Sequence, residues 1–178
     1  AYGVTLMARY DPTGPKHAEV AVVSTPEPPA APSVVVADAF GNGTGIETVL
    51  LSADGATCVA VAARTSPDAP GTIVGSEVRV YDLAPGGGGG GGARSAFVTG
   101  WVSTACLSED GATLVLATAD SPGLPSTVQA LRLRRGMHQW LLNTTYPRID
   151  GAPGFTHTYG ARCEVSNAGA AWMTLPLF

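Results

Sequence analysis

The heptapeptide Leu-Ser-x-Asp-Gly-Ala-Thr occurs twice, at 51–57 and at 107–113. Ser52 and Ser108 stand 56 positions apart. A weaker copy, "VSNAGAAWMTLPLF" at 165–178, places Ser166 another 58 positions on, with Gly169 in the Asp-Gly slot. A fourth unit, "YGVTLMARYDPTGPKHAEVAVVS", opens the chain with a longer turn. Self-similarity at a fixed period is the mark of a repeat architecture, and it constrains the fold before any other feature does.

Each unit follows one grammar. A first apolar strand is expected over Val4 to Tyr10, Ile46 to Ser52, Val102 to Ser108 and Ala161 to Ser166. Asp54-Gly55 and Asp110-Gly111 then supply the backbone freedom that a tight hairpin turn needs. A second strand rich in Val and Ala follows ("AEVAVVS", "CVAVAA", "LVLATA"). A proline-bounded loop comes next, since proline has no N–H to give a ladder. The third strand alternates ("VVVADAF", "VRVYDL", "VQALRL"), and a fourth ("ARSAFV", "HQWLL") leads onward. The first unit lacks a clear fourth strand, because "GNGTG" runs directly toward Ile46.

Nowhere do apolar residues hold a helical period, so the chain is expected to be all-β. Four antiparallel strands repeating every few tens of residues describe a β-propeller blade. The expected units are 1–45, 46–100 and 101–159, with a half unit at 160–178, in one partial propeller domain. A β-sandwich would explain the strand count, but not the phase-locked copies. An arc of about three and a half blades leaves stacking faces open, so a longer propeller or another chain is expected to complete it.

The blade grammar resembles that of the pyrroloquinoline-quinone-type repeat propellers. "VQALRLRRGMHQWLLN", with Gly136 and Trp140, is similar to the end of such a blade, and "GWVSTACLSEDGATLVLATAD" to its opening. The resemblance covers 46–142 and implies the fold. The dehydrogenases of that group carry a vicinal disulfide and a calcium carboxylate cluster, and this sequence has neither. It is also broadly similar to lactonase-type and tryptophan-aspartate repeat propellers. Fold likeness of this kind does not carry function.

Composition then narrows the partners. Net charge is −4, with only ten Lys and Arg, which disfavours nucleic acid and anionic membranes. Apolar runs such as "SVVVADAF" are strand-sized, far short of a membrane-spanning helix. The chain begins at Ala1 without a leader pattern, so a mature or partial chain is expected. Two sequons, at Asn42 and Asn143, fall in expected loops and mark candidate glycosylation sites. With few Lys and abundant Ala, Thr, Ser and Pro, they favour a secreted protein on the extracellular or cell-surface side. The three cysteines, Cys58, Cys106 and Cys163, are either buried apolar side chains or one disulfide and a free thiol, with the pairing open.

Candidate chemistry is sparse. His17, His138 and His157 are expected in a turn, a strand start and a loop, with no zinc spacing. No Gly-x-Ser-x-Gly elbow nominates a nucleophile. Asp54 and Asp110 precede Gly and read as turn residues. Asp38 and Asp82 share a slot and read as scaffold, and Asp68 and Asp120 open the proline loops. The heptaglycine Gly86–Gly92 reads as a surface-loop expansion, without the Lys and Ser or Thr of a phosphate loop. Arg132, Arg134 and Arg135 read as solvation and protection of a blade edge. Trp101, Trp140 and Trp172, expected at strand ends, read as packing groups. No catalytic, cofactor or metal residue is nominated and no cofactor is expected. The expected function is a non-catalytic extracellular scaffold for protein–protein interaction, partnered by other protein chains and candidate glycans. The alternatives are a fragment of a propeller-class oxidoreductase or hydrolase, and a carbohydrate-binding module.

Overall fold

A computed structural model describes residues 2–9, 17–24, 33–41, 44–69, 71–83, 93–119, 126–134, 137–145, 162–165 and 171–174. Thirteen strands and no helix occupy these residues. They form four antiparallel sheets in chain order. The first is three-stranded: β1 (Tyr2–Arg9), β2 (His17–Ser24) and β3 (Ser33–Ala39). The second has four strands: β4 (Thr44–Leu51), β5 (Thr57–Thr65), β6 (Ile73–Asp82) and β7 (Arg94–Thr99). The third repeats that order with β8 (Trp101–Leu107), β9 (Thr113–Ala119), β10 (Ser126–Arg134) and β11 (Met137–Thr145). The fourth is the hairpin of β12 (Arg162–Val165) and β13 (Ala171–Thr174).

Strand ends differ from the sequence expectation in instructive ways. Ser52 and Ser108 leave the ladder and become the first residues of turns. The fourth strand of the third sheet does not stop at Leu142. It continues through Asn143 to Thr145, because β10 offers partners down to Thr127, and Thr suits an extended ladder. His17 starts β2 opposite Arg9 instead of lying in a turn. Trp140 lies inside β11, opposite Leu131, and not at a strand end.

The second sheet is buried on both faces. Along β5 the residues Cys58 to Ala63 are all buried, and their side chains alternate between two cores. Val59 and Val61 join Val78, Val80 and Val98 against Val102, Leu114, Leu116, Leu131 and Leu133 of the third sheet. On the reverse face Cys58, Ala60, Ala62, Tyr81 and Leu83 pack with Phe40, which follows β3. The third sheet shows a second buried face as well, with Cys106, Val115, Ala117 and Ala130. Each fully buried Val or Leu adds about 1.5–3 kcal/mol of gross burial, so these layers dominate cohesion. A two-layer sandwich buries only one face of each sheet; here consecutive sheets stack one upon the next.

The stacking has one sense. Leu83 and Leu133 are equivalent, since each donates its N–H to the carbonyl of the turn alanine, Ala56 or Ala112, at 2.7 Å. Cys58 and Leu114 share a repeat slot, and so do Val59 and Val115. Cys58 and Leu83 face the preceding sheet, as Leu114 and Leu133 do one unit later. Val59 faces onward, and Val115 lies on the corresponding far face. Repeated residues therefore meet equivalent surroundings. Backbone proximity links consecutive sheets: β4 lies against β1 and β2, β8 against β4, β5 and β6, and β12 against β8 and β9. The first strand of each sheet thus lies against the sheet before it.

Candidate functional site

The repeated heptapeptide builds the same turn twice at one end of the stack. In the second sheet Gly55 donates its N–H to the Ser52 carbonyl at 2.9 Å and adopts φ 71°. That left-handed backbone is where glycine carries no steric cost. Ser52 Oγ donates to Asp54 Oδ1 at 2.6 Å and accepts the Thr57 N–H at 2.9 Å. Asp54 Oδ1 also accepts the Ala56 N–H at 2.9 Å. The third sheet repeats each bond. Ser108 Oγ donates to Asp110 Oδ1 at 2.7 Å and accepts the Thr113 N–H at 2.9 Å. Asp110 Oδ1 accepts the Ala112 N–H at 3.0 Å, and Gly111 has φ 67°.

These bonds determine what the two aspartates can do. Each carboxylate is engaged by a hydroxyl and a backbone N–H, which makes it a turn acceptor. The Ser52 hydroxyl, followed by the Ala56 N–H, holds the Asp54 carboxyl below its ordinary value. Such a group stays ionised and is a poor general acid near neutrality. The third copy has Ala168 in the aspartate slot. Its hairpin pairs Val165 with Ala171, one residue tighter than the Leu51–Cys58 and Leu107–Leu114 pairs.

The two turns touch. Ala53 donates its N–H to the Glu109 carbonyl at 2.9 Å. A second junction lies near the opposite end, where Gly100 (φ 88°) joins β7 to β8. Ser76 Oγ, fully buried, donates to the Gly100 carbonyl and accepts the Val102 N–H, both at 3.1 Å. Sequence reading missed this residue, because its partners stand 24 and 26 positions away.

A polar cluster lies between the first two sheets. Glu77 Oε1 accepts from Arg79 Nε at 2.8 Å, and Glu77 Oε2 stands 3.6 Å from Arg64 Nε. The Arg79 guanidinium lies 4.0 Å from the centroid of the Phe40 ring, a cation–π geometry. Neither the pairing nor the stacking was legible from spacing alone. Two guanidiniums thus share one carboxylate, and the contacts brace the layer.

The remaining nominated residues separate as follows. Cys106 is disulfide-bonded, whereas Cys58 is a free, buried thiol whose burial pushes its pKa up to about 12. Cys163 lies on β12, which packs against β8, the strand of Cys106. Asn143 sits in β11 opposite Gln129, and Asn42 lies outside the described residues. Trp101 opens β8 with its indole N–H buried and, among the described residues, without a hydrogen-bond partner; Trp172 pairs with Glu164 in the last hairpin. Arg132 and Arg134 lie on β10, opposite Gln139 and Met137 of β11. Asp38 sits in β3 and Asp82 ends β6. Asp68 takes part in the proline loop by donating its N–H to Ser66 Oγ at 3.2 Å. His138 is in β11. His157, Asp120, Arg135 and the heptaglycine lie outside the described residues. Among the described residues no group of three or more His, Cys, Asp or Glu side chains could hold a metal ion, and no helix is long and apolar enough to cross a membrane.

No protein-family profile matches the chain, and no curated protein matches it either.

Proposed function

We propose that the chain is a run of propeller-type blades serving as an extracellular, non-catalytic scaffold for protein–protein interaction. The observation that supports this reading is the single-sense stacking of the sheets, in which repeat-equivalent residues bury equivalent faces. A stack of that kind ends in surfaces that want a further sheet, so it serves as a piece of a larger assembly. The polar side chains that the repeat supplies support the same reading, because Ser52, Asp54, Ser108 and Asp110 are engaged in turn bonds.

The bridge at Cys106 favours an oxidising compartment. With Cys58 free, its partner is assigned to Cys163, so that the last hairpin is stapled to the third sheet. Sequons at Asn42 and Asn143 fit the same compartment. The first strand of each sheet, lying against the sheet before it, supports a propeller-like succession.

The test is the behaviour of the isolated 178-residue chain. Its end faces should bind an apolar dye such as anilinonaphthalene sulfonate, or drive self-association in sedimentation. A monomer that binds no dye would overturn the reading. Intact mass of the native material reads out glycans on Asn42 and Asn143 in the same preparation.

A further inference from the structure

We propose that Thr72, on the exposed proline loop between β5 and β6, carries an O-linked glycan added in the secretory pathway. The inference rests on the extracellular reading above and adds a modification that neither sequon predicts.

A sequence pattern points to the loop. Thr25-Pro26, Ser66-Pro67 and Ser121-Pro122 follow the second strands of three successive units. Pro32-Ser33, Pro70-Gly71-Thr72 and Pro125-Ser126 lead into the third strands. Ser33 opens β3, Ser126 opens β10, and Thr72 stands immediately before β6. Proline fixes φ and has no N–H to give a ladder, so a stretch of this kind stays outside the sheet. Segments that combine Ser, Thr and Pro are carriers of O-linked sugar.

The structure chooses among the hydroxyls. Ser66 donates its N–H to the Thr72 carbonyl at 2.8 Å, and Thr72 donates its N–H to the Ala69 carbonyl at 3.0 Å. Both backbone groups of Thr72 are tied, so the residue is presented on a fixed turn. Ser66 is half-buried, and its Oγ accepts the Asp68 N–H at 3.2 Å. Thr65 is half-buried and pairs with Ile73 in the ladder. Thr72 is exposed, together with Asp68, Ala69 and Gly71. No hydrogen bond among the described residues uses the Thr72 hydroxyl. A Cβ built on Gly71 meets nothing within 4 Å beyond its chain neighbours, which leaves room for a bulky group beside Thr72.

Charge favours sugar over phosphate. Asp68 lies on the same loop, and a phosphate placed near a carboxylate is repelled. A neutral sugar meets no such cost. The donor class is a nucleoside-diphosphate sugar. Thr72 Oγ1 forms a C–O bond to the anomeric carbon as the bond from that carbon to the diphosphate breaks. The nucleoside diphosphate leaves with the electron pair, and the hydroxyl proton passes to a base of the transferase.

Trypsin should release residues 65–79, between Arg64 and Arg79, a peptide without Asn. Any sugar on it is therefore O-linked. In native material this peptide should carry one or more hexose or N-acetylhexosamine units, placed on Thr72 by electron-transfer fragmentation. Alkaline β-elimination should remove them and leave a dehydrated residue at position 72. A bare peptide overturns the proposal. If Asn42 or Asn143 is then glycosylated, or Cys106 bridged, the extracellular reading stands; if none of these holds, it falls as well. Phosphate on Thr72, or sugar confined to Ser66 or to a hydroxylated proline, also overturns the proposal.

Discussion

Gly111 of the third sheet lies against Thr57 of the second: a Cβ added to Gly111 would stand 2.6 Å from Thr57 Oγ1 and 2.7 Å from its Cβ. The repeat glycine therefore answers two demands. It adopts φ 67°, and it lets one turn settle onto the preceding one. Gly111→Ala should cost about 2–5 kcal/mol, the sum of left-handed strain of about 1–2 kcal/mol and overpacking of about 1–3 kcal/mol. Equilibrium urea unfolding measures it. In a double-mutant cycle Thr57→Gly should recover part of the loss, because it removes the atoms in conflict. Strict additivity of the two changes would contradict the contact.

Ser76 is the second fastener between the same sheets. Its hydroxyl is the hydrogen-bond partner of the Gly100 carbonyl and the Val102 N–H at the turn from β7 to β8. Ser76→Ala leaves two buried backbone groups without that partner, at about 1–3 kcal/mol for each unsatisfied group. Unfolding monitored by Trp101 fluorescence should show the loss. The amide of Val102 should also exchange faster than in the unaltered chain.

Cys58 should be chemically silent in the folded chain. Burial pushes its thiol up to about 12, and the thiolate is the reactive form. A thiol-reactive dye should label no cysteine in the native, non-reduced protein and one after unfolding in denaturant. A bridged peptide joining Cys106 to Cys163 should appear in a non-reducing digest. Rapid labelling of the native chain, or a bridge that includes Cys58, would contradict the assignment.

The Asp54 turn makes a small acid-dependent contribution. Its pKa is lowered in the fold from the ordinary 3.8. Between the folded and unfolded values the unfolded chain binds the extra proton. The stabilisation is therefore complete above pH 3.8 and is lost as pH falls through the depressed folded value. Because Asp54 is exposed, solvent screening keeps the effect modest. Carboxyl NMR titration should place the Asp54 midpoint below 3.8, and Ser52→Ala should raise it.

Much of this fold was legible because the informative residues act locally. Asp54-Gly55 and Asp110-Gly111 specify turns through their own backbone and a serine two residues before the aspartate. Alternation in "VRVYDL" places Val78 and Val80 on one face and Tyr81 on the other. What was not legible depends on distant partners. Ser76 has no local signal. Arg79 gains its role from Phe40, which belongs to the preceding unit. The state of each cysteine depends on which strand packs beside it, and spacing does not encode that. Asn143 reads as a loop residue because its own stretch is polar, yet β10 is long enough to draw it into the ladder.

The central claim is that the second and third sheets are copies stacked in the same sense. Methyl-to-methyl nuclear Overhauser contacts test it most directly. The account predicts contacts from Val59 and Val61 to Leu114 and Leu116, with Ala60 and Ala62 showing none to those leucines. Contacts from Ala60 or Ala62 to Leu114, or from Val59 and Val61 to Val115 and Ala117, would mean that the copies meet through other faces, and would contradict it.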